Sequence, residues 1–248
     1  MAGGTSQPGR GVMARALDVL NAFEGHRDGL VLADLARISG LPLTTTHRLA
    51  SDLVAQEVLE RLPDRRYVVG RKLWQLGLLA RVQGGLRDVA LPFLQDLYEA
   101  TRENVHLAVR DGDEALYLER LHGHSSVPVV SRPGGHLPLH ATGVGKVLLA
   151  HAPQPVVAEA VQCAEKVTPY TITEPGRLLR ELAEVRRRGF ARTVQEMTLG
   201  TCSVAVPVLD RRGDVVAALG VVTATRREPA RLVTALRIAA GGISRALR

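Results

Sequence analysis

The sequence predicts an α+β chain in two parts, a helical N-terminal module ending in a hairpin and a larger domain of helices and hairpins around an antiparallel sheet. Three observations predict it. Residues 32 to 56, LADLARISGLPLTTTHRLASDLVAQ, carry two short helical faces about a Gly-containing turn. Val58 to Gly70 then holds two β-prone runs around a basic tip. From residue 86 onward, β-prone runs joined by polar turns alternate with helical periodicity.

In the N-terminal part, Met13, Ala16, Leu17, Leu20 and Phe23 share one face of an amphipathic helix. A second helix follows with Leu32, Leu35 and Ala36 inward, and a third with Leu41, Thr46, Leu49 and Leu53 inward. Gly40 stands where the chain must stop and turn, a position that favours positive φ. Pro42 follows where a missing N–H is tolerated. Two helices crossing over such a turn place the second in a DNA major groove. Its polar side carries Thr44, Thr45, His47, Arg48 and Ser51. Thr44, Thr45 and Arg48 are assigned to base edges and His47 to phosphate, since Arg grips guanine and Thr bonds a base edge or a thymine methyl. An ordinary helical hairpin with a solvated polar face is the alternative. The next segment argues against it: Leu62, Pro63, Asp64 and Arg65 form a turn, Arg61, Arg65 and Arg66 crowd its tip, and Arg71 and Lys72 follow. That is the pattern of a wing on the phosphate backbone. Residues 12–71 are therefore expected to be a winged helix-turn-helix DNA-binding domain, preceded by a disordered polar tail, residues 1–11.

Composition sets bounds. The 248 residues suffice for two ordinary domains, and 46% hydrophobic residues allow a sizeable core. No run of about 20 apolar residues appears, so no membrane association is expected. The polar N-terminus lacks the apolar stretch of a signal peptide, and the two cysteines, Cys163 and Cys202, form no disulfide framework. A cytoplasmic protein with reduced thiols is the expectation. The net charge of +7 suits a polyanionic partner but is not concentrated in one part: residues 1–83 hold 11 basic and 8 acidic side chains, the remainder 21 and 17. What is concentrated is the cluster from Arg61 to Lys72.

A linker helix is expected over residues 72–85, with Leu73, Leu76, Leu79 and Ala80 on one side and a boundary at Gly84 and Gly85. Such a helix can pair with its copy in a dimer. Trp74, the single tryptophan, reads as a core or interface residue. Within residues 86–248, a helix over 86–101 is broken or begun near Pro92. Strands at 105–109 and 115–121 flank a turn, and 127–131, VPVVS, is a further strand. A helix with a Gly-rich entry spans 141–151, and another spans Thr173 to Arg188, with Thr173 as cap and Gly189 as stop. CSVAVPVLD, a turn at Arg211–Asp214 and VVAALGVVT make a hairpin, and Pro229 to Arg248 is a closing helix.

Together the segments DLARISGLPLTTTHRLASDL, RRYVVGRKLWQLG, LPLHATGVGKVLLA, QEMTLGTCSVAVPV and VVAALGVV resemble the IclR family of bacterial transcription regulators, from about Val12 to Arg248. The resemblance implies an effector-binding domain of GAF/PAS-like fold behind the DNA-binding domain and linker helix. It implies double-stranded operator DNA of pseudo-palindromic sequence as partner, a homodimer or a dimer of dimers, and a small organic acid or aromatic effector. No cofactor and no catalysis are expected. By the same resemblance the effector pocket is lined by the Gly143 and Val144 backbone and by Cys202, with Glu196, Thr201 and Ser203 flanking it. Gly220 and Val222 stand where the family often has two hydroxyl residues, which points to a less polar or bulkier effector. The residues themselves add that Gly143 and Gly145 open a helix whose first N–H groups attract an anion, with His140 and Thr142 as further donors. The alternative is that these glycines serve only close packing.

Enzymatic chemistry is the rival reading. GVGK at 143–146 is followed by Val147 and is no phosphate loop. Cys202 as a nucleophile requires a base such as His140 close in space. His122, His124, His136 and His140 lack the spacing of a metal site, and no metal is expected.

Overall fold

The computed structural model describes residues 11–26, 28–77, 79–80, 85–123, 126–225 and 230–247, the last without the side chains of Ala230 and Arg231. The chain divides into two compact units, Met1–Arg81 and Val82–Arg248. The expected tail, the boundary at Gly84, His124 and Pro229 lie outside the described residues, except that Gly11 of the tail and Gly85 are included.

The first unit begins with α1 (Val12–Asn21), α2 (Leu32–Ser39) and α3 (Leu43–Ala55). Gly40 ends α2 at φ 66°, donating its N–H to Ala36 O, and Pro42 stands at the N-cap of α3. This left-handed stop lets two helices cross within three residues of chain. The hairpin of β1 (Leu59–Arg61) and β2 (Tyr67–Val69) follows in antiparallel register, Leu59 opposite Val69. Leu30 extends it through two backbone bonds with Tyr67. Val19, Phe23, Leu35, Leu49, Leu59 and Tyr67 meet in one core beneath the three helices. Fully burying a side chain of this size contributes about 1.5–3 kcal/mol.

The linker helix is shorter than periodicity predicts. α4 spans Arg71–Gly77, and the N–H groups of Leu79 and Ala80 reach back only three residues, to Leu76 and Gly77. Gly77 is the weak point, since glycine disfavours helix by roughly 1 kcal/mol relative to alanine. Trp74 is 65% exposed within the chain and so is no core residue.

The second unit is a six-stranded antiparallel sheet covered on both faces. Its elements are α5 (Leu86–Thr101), β3 (Asn104–Asp111), β4 (Glu114–Leu121), β5 (His136–Pro138), α6 (Gly143–Ala150), α7 (Gln154–Gln162), α8 (Pro175–Arg188), β6 (Ala191–Val194), β7 (Thr201–Leu209), β8 (Val215–Ala224) and α9 (Ala230–Ala246). The strand order is β5-β4-β3-β8-β7-β6. Side chains alternate across the sheet. Leu107, Val204, Val206, Leu219 and Val221 face α5 and α9, where Leu94 and Leu236 are fully buried. Ala108, Ala205 and Ala218 face α6, α7 and α8.

Two expectations are corrected. Residues 127–131 form no strand: Pro128 has no N–H for a ladder, Asn104 Nδ2 donates to Val127 O, and Arg120 Nη1 donates to Ser131 O. The edge strand is β5 instead, with His136 opposite Leu116. Glu174 rather than Thr173 caps α8, accepting from the N–H groups of Gly176 and Arg177. α7 and β6 had no counterpart in the sequence reading. No helix of the described residues is long and apolar enough to cross a membrane.

Candidate functional site

Two surfaces deserve separate description, one on each unit. On α3, Thr46, Leu49 and Ala50 are buried, which turns Thr44, His47, Arg48 and Ser51 outward and leaves Thr45 half-buried beside them. Thr46 is pinned inward by its hydroxyl, which donates to Pro42 O at 3.1 Å. The outward residues fall at spacings of three and four, so one helix face presents them all. Arg48 makes no ion pair among the described residues.

The hairpin supplies the other basic groups, and they differ. Arg65 is exposed at the tip, with φ 68° in the left-handed region. Arg61 is exposed and lies 5.7 Å over the Tyr67 ring. Arg66 is engaged within the unit: Nε donates to Asp64 Oδ2 at 2.7 Å and Nη1 to Asp28 O. The Arg66 backbone N–H and guanidinium together hold the Asp64 carboxyl below its ordinary range. Arg61 and Arg65 are thus free to meet a polyanion, whereas Arg66 shapes the turn.

On the second unit a cavity lies between the start of α6 and the sheet. Thr142 caps α6 with Oγ1, which accepts from Gly145 N at 3.0 Å, while Lys146 N takes the Thr142 carbonyl. The first two N–H groups of the helix, at Gly143 and Val144, have no intrahelical acceptor. Both residues line the cavity, together with Thr142, Thr201, Ser203, Gly220 and Val222.

The glycines serve packing as well. A Cβ on Gly143 would stand 2.5 Å from Ser203 Oγ, one on Gly145 2.4 Å from Leu139 O, and one on Gly220 2.8 Å from Val144 Cγ1. Helix and sheet approach so closely that Gly220 has no room for a side chain. Its lack of a hydroxyl is therefore a packing requirement here.

Three expected pocket residues lie elsewhere. Cys202 is buried in β7, but alternation puts it on the face of Val204 and Val206, toward α5 and α9. Ser203 is the residue of that pair which reaches the cavity. His140 does not line the cavity, and its Nε2 bonds Glu165 O at 2.9 Å. Glu196 is buried behind the cavity wall, where Oε1 accepts from Lys146 Nζ at 2.6 Å. Its carbonyl accepts from the Thr168 and Thr171 hydroxyls. This ion pair ties α6 to the loop carrying Met197 and Thr198 over the cavity. Among the other histidines, His136 bonds Asp111 at 3.0 Å, and no metal-binding cluster is found among the described residues.

The cavity also has residues that sequence reasoning missed: His106, Tyr117, Ser131, Leu137, Thr193 and Met197. His106 Nε2 and Ser131 Oγ share a hydrogen bond of 3.0 Å. The His106 ring meets the Tyr117 ring edge-on at 5.4 Å. Burial lowers the His106 pKa to about 3, aided by the charges of Arg120 and His122, so the imidazole is neutral near pH 7. Burial pushes the Tyr117 phenol well above its ordinary range, against a weaker pull from its bond with Thr142. Thr193 and Ser203 share a bond of 2.6 Å on the opposite wall. The only sequence signal was alternation on β3 and β4, which places His106 and Tyr117 inward but names no ligand.

Comparison with known proteins agrees with this geometry. Residues 12–63 match the IclR helix-turn-helix domain and residues 80–245 the bacterial transcriptional regulator IclR C-terminal domain. The HTH-type transcriptional regulator XynR of Escherichia coli is 33% identical over 217 residues, covering 86% of each chain. Among solved structures, an IclR homolog complexed with 4-hydroxybenzoate from Microbacterium hydrocarbonoxydans is 36% identical, with a TM-score of 0.91 over 96% of this chain and 99% of that one. The Thermotoga maritima IclR is 30% identical, with a TM-score of 0.78 over 95% and 98%.

Proposed function

The chain belongs to the IclR family of bacterial transcriptional regulators, and we propose how its parts divide that work. Residues 12–71 are the DNA-binding domain, 72–85 the linker and 86–248 the effector-binding domain. Thr44, Thr45 and Arg48 read base edges in the major groove, His47 and Ser51 contact the backbone beside them, and Arg61 and Arg65 rest on phosphate. Two copies related by a two-fold axis present two α3 helices to a pseudo-palindromic operator, with half-sites one helical turn or a multiple apart. Pairs of dimers are a further assembly of the same kind. The site of action is the cytoplasm, where the DNA is.

The effector is a small carboxylate with an aromatic or alkyl body. One observation carries this: the cavity at the start of α6 joins two N–H groups without an intrahelical acceptor, at Gly143 and Val144, to apolar walls from Leu137, Val144 and Val222. The helix terminus suits the carboxylate and the walls suit the body. The bound 4-hydroxybenzoate of the Microbacterium relative supports the aromatic class. An effector that prefers one arrangement of the dimer shifts its population and so changes operator affinity.

A thermal-shift series of carboxylic acids on the purified chain tests the pocket, because a ligand of the native state raises the melting temperature by mass action. Benzoate-type acids should raise it at lower concentration than glyoxylate. The reverse order would contradict the apolar-walled reading.

A further inference from the structure

The cavity is polar at two ends, and the second end has no place in the reading above. His106 and Ser131 are each 3% exposed, yet both line the cavity and bond one another. Among the described residues that line it there is no Asp, Glu, Lys or Arg. The described lining therefore has one place suited to a negative charge, the α6 terminus, while Arg120, whose charge acts on His106, does not line the cavity and is bonded to Ser131 O.

Register gives the separation of the two ends. His106 pairs with Gly220 and Gly220 with Ala205, while Gly143 packs over Ser203 and Ala205. His106 thus starts two strand spacings, roughly 10 Å, from the strand beneath the helix start. His106 and the helix start thus lie on opposite sides of β8.

We propose that His106 and Ser131 are specificity-determining residues that bind a neutral hydroxyl on the effector, across the ring from the carboxylate held by α6. This rests on the effector reading above and narrows it to hydroxyaryl monocarboxylates. The chemistry follows from the pair. A serine hydroxyl can donate and accept, and a neutral imidazole offers one donor and one acceptor nitrogen. A ligand hydroxyl can enter this pair as either partner. A second carboxylate placed there would lose its hydration while meeting only neutral lining groups, because the Arg120 guanidinium already serves the Ser131 carbonyl outside the lining. An unsubstituted ring leaves the pair intact, since the two residues already satisfy each other. The gain from the hydroxyl is accordingly that of one net hydrogen bond, roughly threefold to tenfold in affinity.

Isothermal titration of the full-length protein with benzoate, 4-hydroxybenzoate and terephthalate tests this. The expected order is 4-hydroxybenzoate threefold to tenfold tighter than benzoate, with terephthalate weaker than both. The double variant His106→Leu/Ser131→Ala, which leaves neither group unpaired, should bring 4-hydroxybenzoate to the level of benzoate, and its ligand-free melting transition shows that it is folded. Equal binding of benzoate and 4-hydroxybenzoate by the unmodified protein would overturn the proposal, as would tightest binding of terephthalate. So would a folded double variant that keeps the full preference for 4-hydroxybenzoate. If none of the three acids binds, the carboxylate reading of the cavity fails, and this proposal with it.

Discussion

Replacing His106 by Gln should make the protein less sensitive to acid, by an amount set by burial. His106 lies inside the cavity against Tyr117 and Ser131, with Arg120 and His122 the nearest basic groups acting on it. Its folded pKa of about 3 lies below the ordinary histidine value of 6.5. The unfolded chain therefore binds a proton below about pH 6.5 that the folded chain refuses until about pH 3. Stability contributed by this group is complete above pH 6.5 and is lost as pH falls through that window, at up to about 1.4 kcal/mol per pH unit. Between pH 7.5 and pH 5 the loss comes to about 2 kcal/mol. Gln keeps a neutral polar group and has no such loss. At pH 7.5 the variant should be less stable than the parent through imperfect packing. By pH 5 the difference should have moved about 2 kcal/mol in the variant's favour. Urea unfolding at five pH values measures it, with circular dichroism following the sheet. Trp74 fluorescence reports the N-terminal unit separately, because the one tryptophan lies there. A stability difference that stays constant from pH 7.5 to pH 5 would show that His106 titrates normally and would refute the reasoning.

Other perturbations separate the remaining roles. Arg48→Ala should relax base preference at one operator position at a cost of about 1–3 kcal/mol, whereas Arg65→Ala should weaken all sequences alike and flatten the salt dependence by about one unit of slope. Anisotropy titrations on specific and scrambled duplexes at several salt concentrations distinguish the two, and an unchanged footprint for Arg48→Ala would refute the base-reading role. Lys146→Met leaves the buried Glu196 without its partner and should destabilise the second unit by about 3–5 kcal/mol, read as a lower urea midpoint. Gly220→Ala places a methyl 2.8 Å from Val144 Cγ1 and should cost about 1–3 kcal/mol while weakening binding of carboxylic acids, measured by melting and titration.

What could be read from residues alone follows from how local each signal is. The Gly40 stop, the inward face of α3 and the turn at Asp64 depend on neighbours within a few positions, so periodicity and turn chemistry reach them. The cavity depends on strands that pair across more than a hundred residues, such as His106 with Gly220. Nothing local marks His106 or Ser131 as facing the start of α6. Cys202 misses the cavity through the same sensitivity: a shift of one residue along a strand exchanges the two faces of a sheet, and Ser203 is the neighbour that lines it. Arg66 looked equivalent to Arg65 in sequence. Only the fold shows that Asp64 and the Asp28 carbonyl already occupy it. Residues 127–131 have the composition of a strand, but side chains from β3 and β4 take two of the carbonyls a ladder would use.

The central claim is that one chain couples DNA recognition by its first unit to ligand capture by its second. Anisotropy titration of the full-length protein on DNA from upstream of its own gene, against scrambled competitor, with and without 4-hydroxybenzoate, tests it most directly. A preference for the upstream fragment that changes at least fivefold on adding the acid is the predicted result. Equal affinity for both duplexes, unaltered by an acid shown to bind, would contradict it.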